Sequence, residues 1–120
     1  MKQIAVFGLG KFGARVLDEL LNLNVEIVVI DRNRELVDAY KDRVSNIYVL
    51  DVVSESRVNE MIPSDIDAAV VDMGDNFEAT ILVVHYLKNA GVDRVLVRAN
   101  SDQQAEVLKV AGADTVIDTF

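Results

Sequence analysis

With 120 residues, 51% of them hydrophobic and 6% aromatic, the chain has room for one domain with a sizeable core and none for a second folded unit of ordinary size. A formal net charge of −8 argues against the basic stripe of a nucleic-acid reader and against adhesion to anionic membranes, so any phosphate must be held by a local feature. The absence of cysteine excludes a disulfide framework and a thiolate metal site, and the single His85 excludes a histidine cluster.

Apolar runs of strand length alternate with longer segments of helical period, which is the pattern of β-α-β units around a parallel sheet covered on both faces. The opening residues lead straight into a strand over 3–7 without the h-region of a signal peptide. Directly after it stands Gly8-Leu9-Gly10-Lys11-Phe12-Gly13, a G-x-G-x-x-G motif opening an amphipathic helix over 11–22 whose Val16, Leu17, Leu20 and Leu21 can face the sheet. Gly8 permits a tight turn, Gly10 lets backbone approach a diphosphate without a Cβ in the way, and Gly13 allows the helix to pack closely on the strand. The unpaired N–H groups and positive end of the helix then face the anion. A Walker A loop is excluded, because Gly13 is followed by Ala14 and Arg15 where that motif requires Lys and Ser or Thr.

The second strand, over 26–30, delivers Asp31 to the position where a carboxylate accepts hydrogen bonds from ribose hydroxyls and repels a ribose 2′-phosphate. Arg32 and Arg34 stand beside it and could receive such a phosphate, and Asp31 has the alternative of a plain turn residue. Asn33 is a suitable N-cap for a helix over 34–42. A third strand over 46–50 is followed by Asp51 and Val52, where Asp51 could edge an adenine pocket. Ser54 caps a helix over 55–61, and Pro63 separates it from the fourth strand, over 68–72. Met73-Gly74-Asp75 follow, and Asp75 with Glu78 reads as the capping box of a helix over 76–89.

That helix is apolar on too many sides: Ile81, Leu82, Val83 and Val84 are consecutive, more than one sheet covers, so a subunit interface is expected there, the alternative being a central helix tightly covered within one subunit. His85 reads as a packed or interface histidine, since no nucleophile accompanies it. A fifth strand over 94–97 places Arg98 where it could reach a phosphate. Ser101 with Gln104 opens a helix over 102–111, and a sixth strand over 115–117 completes a doubly wound Rossmann-type α/β fold in a single domain, residues 1–120. Gly91 and Gly112 suit the C′ positions of the last two helices. Asp31, Asp51, Asp72 and Asp75 share the residue type of a carboxylate metal site, but no spacing dictates their convergence and none is expected. No apolar stretch approaches the roughly 20 residues of a transmembrane helix. The expected location is the cytoplasm, with any membrane role supplied by a partner.

Together the segments Ile4 to Gly13, Val29-Ile30-Asp31, Val71 to Asn76, Val97-Arg98-Ala99-Asn100 and Val107 to Asp114 resemble the RCK or KTN family of potassium-uptake regulators and channel domains, over essentially the whole chain. The resemblance implies a six-stranded Rossmann unit that binds ATP, ADP or NAD(H) and assembles through dimers into rings that gate a membrane potassium transporter or channel. It implies that Gly8, Gly10, Phe12 and Gly13 form the phosphate loop, with Lys11 meeting phosphates and Asp31 and Arg32 flanking the ribose. It places Asp51, Val52, Gly74, Asp75 and Arg98 around the remainder. On this reading the chain is a regulator without catalytic residues. The alternative is the cofactor half of an NAD-dependent oxidoreductase, which shares the glycine fingerprint.

Overall fold

The computed structural model describes residues 2–44, 46–50 and 53–118. Six strands, β1 (Lys2–Phe7), β2 (Val25–Asp31), β3 (Asn46–Val49), β4 (Ala68–Val71), β5 (Arg94–Ala99) and β6 (Thr115–Asp118), form one sheet in the order β3-β2-β1-β4-β5-β6, and every pairing is parallel. Helices α1 (Lys11–Leu20), α2 (Arg34–Asp38), α3 (Glu55–Met61), α4 (Phe77–Asn89) and α5 (Asp102–Ala111) supply the crossovers. This is the doubly wound architecture expected from the alternating pattern.

Alternation along each strand divides the core in two. Ala5 and Phe7 of β1 point to a cluster completed by Val58 of α3, Val83, Val84 and Leu87 of α4, and Leu108 of α5. Val6 points the other way, toward Leu17 of α1 and Val37 of α2. Parallel strands covered on both sides should read as continuous apolar runs, and Ile27, Val28, Val29 and Ile30 of β2 are all buried.

The helix starts follow their caps. Asn33 accepts the N–H groups of Glu35 and Leu36, Ser54 accepts that of Arg57, and Ser101 accepts that of Gln104. At α4 the cap is Asn76, accepting from Ala79, rather than Asp75. At α2 the helix ends at Asp38, four residues before the expected end, and the chain continues in tight turns such as Tyr40 N–H to the Val37 carbonyl. The all-round apolarity of α4 also has an internal explanation. Thr80, Val83, Val84 and Leu87 are buried toward the sheet, while α3 and α5 flank the helix and Ile81 and Tyr86 pack against the same cluster. Leu82 alone of the four consecutive apolar residues is left exposed, at 40%.

Candidate functional site

The sheet order reverses between β1 and β4: from β1 the chain winds outward to β3, and from β4 outward to β6. Crossovers on opposite faces part at this point, leaving a crevice at the carboxyl ends of the strands. A cavity of about 530 Å³ lies here. Gly8, Leu9 and Gly10 form one side, Asp31 and Arg32 one end, and Asp72, Met73 and Gly74 the opposite side. Leu36, Leu50, Val53 and Leu82 add apolar wall, and Glu78 and Asn76 stand at the start of α4.

The glycine loop is held by donors spent in a definite order. Gly8 N–H donates to the Ile30 carbonyl at 2.8 Å, tying the turn to β2. Leu9 N–H donates to Asp31 Oδ2 at 2.6 Å, and Gly13 N–H donates to Asp72 Oδ2 at 2.9 Å. Between them, the N–H groups of Gly10, Lys11 and Phe12 find no acceptor among the described residues. Unpaired helix-start donors are costly when dry and attract anions when they line a cleft.

Glycine is required here by contact. Gly8 has φ +96°, and a Cβ on it would run into the Asp72 carbonyl; a Cβ on Gly13 would strike the Gly8 carbonyl, which keeps α1 close to β1. A Cβ on Gly10 would lie 2.6 Å from Asp72 Oδ2. Gly74 has φ +66° with open space around it, so conformation alone favours glycine there.

Asp72 is the residue that reasoning from sequence undervalued, placing it only among candidate metal ligands. It is 3% exposed, and its carboxylate takes the Gly13 N–H, the Gly74 N–H at 3.4 Å and the Arg98 Nε at 3.1 Å. An apolar strand ending on Asp, beside the strand that carries a glycine motif, is the signal that could have found it. Arg98 does not line the cavity. Its guanidinium is engaged by Asp72, by Asn100 Oδ1 at 2.7 Å and by the Gly74 carbonyl at 3.3 Å. Asp31 combines its two expected roles: it lines the cleft and is also a turn residue, with Oδ1 accepting the Asn33 N–H at 2.7 Å.

Of the other expected site residues, Gly8, Gly10, Arg32 and Gly74 line the cavity. Lys11 is exposed at the start of α1, Phe12 is half-buried, Gly13 packs behind the loop, and Asp75 is exposed in the β4–α4 turn. Asp51 and Val52 lie outside the described residues.

The model of the TrkA-N domain matches residues 4–119. The chain belongs to the TrkA-N domain family. This TrkA-N chain is 37% identical over 116 residues to the Ktr system potassium uptake protein A of Vibrio alginolyticus, a match covering 97% of this chain and 53% of that protein. It spans about half the length of the curated Ktr relatives it matches. Among solved structures, the TrkA-N domain of the inner membrane protein ybaL from Escherichia coli superposes with a TM-score of 0.84 at 19% identity, covering 98% of this chain and 87% of that one. GsuK bound to ADP superposes with a TM-score of 0.78 at 21% identity, covering 98% of this chain and 30% of that one. These two likenesses concern the fold.

Proposed function

We propose that this TrkA-N domain binds a nucleotide, ATP or ADP or NAD(H), in the cleft between β1 and β4, and that occupancy regulates a membrane potassium transporter or channel subunit through a change in an oligomeric assembly. The observation that carries the binding half is the run of three N–H groups, Gly10 to Phe12, without acceptors among the described residues and starting at Gly10 in the wall of a cavity that Asp31 also lines. They would meet a diphosphate, Asp31 a ribose, and the wall of Leu36, Leu50, Val53 and Leu82 a base. Lys11, exposed at the helix start, is assigned to the terminal phosphate, where a point charge neutralises what backbone dipoles do not. Asp51, Val52, Asp75 and Arg32 are assigned to the periphery of the ligand.

The regulatory half draws on the potassium-uptake relative, and the ligand class on ADP in the GsuK structure. No described helix is long and apolar enough to cross a membrane, and a cytoplasmic domain attached through its partner is the proposed arrangement. Leu82 on α4 is the proposed point of contact between copies.

Calorimetric titration with ATP, ADP, AMP, NAD+, NADH and NADPH tests the binding. Micromolar affinity for at least one adenine nucleotide is expected, and no heat with any of them rejects the reading. Asp31→Ala should weaken the preferred ligand by about 1.5 to 3 kcal/mol and erase discrimination between NADH and NADPH. Lys11→Ala should weaken ATP more than AMP by about 1 kcal/mol at low salt. An equal loss for both would remove the assignment of Lys11.

A further inference from the structure

The cleft that offers N–H groups to an anion has a carboxylate in its floor. The Asp72 side chain is 1% exposed and abuts the loop so closely that a methyl group on Gly10 would come within 2.6 Å of its Oδ2. A phosphate held by the neighbouring N–H groups would lie near this buried charge, and like charges repel more strongly where water screens them less.

The carboxylate has a structural reason to be there. Helix α1 begins at Lys11, and the residue at its cap, Gly10, has no side chain to supply an acceptor. The third N–H of the helix, which a Ser or Asp at the cap would ordinarily satisfy, is taken instead by Asp72 from a strand 59 residues away. That task needs an acceptor oxygen, which an amide also supplies; it does not need a negative charge. The charge is answered by Arg98, whose Nε lies 3.1 Å from Asp72 Oδ1 while its other nitrogens are fixed by Asn100 and the Gly74 carbonyl.

Resting on the nucleotide reading above, we propose that Arg98 is a positioning residue for the phosphate site. It neutralises the buried cap Asp72, so that the cap can hold the glycine loop without repelling the ligand, and the pair thereby sets how much phosphate charge the cleft tolerates. Arg98 touches no ligand in this role. A residue that merely braced the loops would, when replaced, weaken all nucleotides alike; one that cancels a charge weakens them in proportion to ligand charge.

The test is titration of the full 120-residue chain with AMP, ADP and ATP at low and high salt, for wild type, Arg98→Gln, Arg98→Lys, Asp72→Asn and the double variant. Arg98→Gln is expected to weaken ATP roughly tenfold or more and AMP less than about threefold, with ADP between and the spread shrinking as salt rises. Arg98→Lys should keep the wild-type ratio of ATP to AMP affinity. Asp72→Asn should move that ratio the other way, in favour of ATP, and the double variant should restore it to within about threefold of wild type. Uniform losses in Arg98→Gln, or a double variant no better than the single one, overturn the proposal. If Arg98→Gln does not fold, by circular dichroism, an unchanged ratio in Asp72→Asn overturns it equally. Wild-type protein that binds none of the three nucleotides, while NAD(H) is also inert, rejects the nucleotide reading and this inference with it. Normal wild-type binding with ungraded variants rejects the inference alone.

Discussion

Among the described residues, nineteen buried residues of the sheet, of α3, α4 and α5 and of their loops form one continuous cluster, whereas on the face of α1 and α2 a second cluster holds seven. The richer face contributes three helices and most of the apolar burial. The poorer face contributes the glycine loop, and there the geometry is held by polar bonds that reach in from other strands, Asp31 to Leu9 and Asp72 to Gly13. Most of the apolar burial thus lies on the α4 side, while the candidate cleft is shared, with the glycine loop along one side and Asn76, Glu78 and Leu82 along the other. Substitutions at the buried positions of α4 should act mainly on unfolding, and substitutions at the start of α1 mainly on affinity.

The sharpest way to break that contrast lies on α4 itself. Val83→Glu would bury an unpaired carboxylate in the larger cluster, where Val83 is 1% exposed, and is expected to cost about 3 to 5 kcal/mol in urea unfolding. Its neighbour Leu82→Glu, on the exposed side, should cost within about 0.5 kcal/mol and instead convert an assembled chain to a folded monomer in sedimentation at high micromolar concentration. A wild-type chain already monomeric under those conditions would remove α4 as a contact between copies.

Next in size is the comparison of two fully buried leucines. Leu87→Ala in the larger cluster should cost about 3 to 5 kcal/mol and Leu17→Ala in the smaller about 2 to 3, because the thinner layer can relax around the cavity. Equal costs would mean that both faces are packed with the same rigidity. Gly13→Ala, forced against the Gly8 carbonyl, should cost about 1 to 3 kcal/mol and weaken nucleotide binding at least about tenfold, whereas Gly74→Ala should cost only about 1 kcal/mol, from its positive φ. If the two glycine variants bind nucleotide equally well, close approach of α1 to β1 is not what shapes the site.

The smallest effect is expected at the polar link on the α4 side. Burial pushes the Asp114 carboxyl up, but hydrogen bonds from Lys88 and from the Val95 N–H, with the charges of Lys88 and Arg94, outweigh it and hold the group below its ordinary value of 3.8. A carboxyl depressed in the folded state contributes stability that is present above its unfolded value and lost as pH falls through the folded one. Asp114→Asn should therefore flatten the fall of stability below roughly pH 4, and only slightly, since the pair faces solvent. An unchanged acid limb would show that the Lys88 contact carries no net energy.

What could be read in the sequence was local. The bounds of α3 and α5 coincide with expectation because Ser54 and Ser101 mark their starts with side-chain acceptors. The end of α2 was misplaced because no glycine stops it; the helix gives way to turns around Tyr40, whose hydroxyl reaches Asp18 on α1. The glycine motif and the position of Asp31 followed from spacing. Asp72 did not, because its significance is a hydrogen bond to Gly13 across 59 residues, which no window of periodicity contains. Arg98 was placed at the correct edge of the sheet, but its partner there depends on which strand lies next to β5. For α4, both a subunit interface and cover within one chain were open readings; α3 and α5 supply the cover for most of the helix, and the contact between copies at Leu82 rests on the proposal.

The ladder between β1 and β4 is the one seam that joins the two halves of the sheet, pairing Ile4 with Ala68, while every other ladder links strands consecutive along the chain. Each half closes short loops and can form early; the seam closes a long one and is expected to form late. Gly13 belongs to one half and Asp72 to the other, so neither half alone contains the cleft. A ligand seated there binds only the docked state, and by mass action it acts as a clasp that holds two folding units shut.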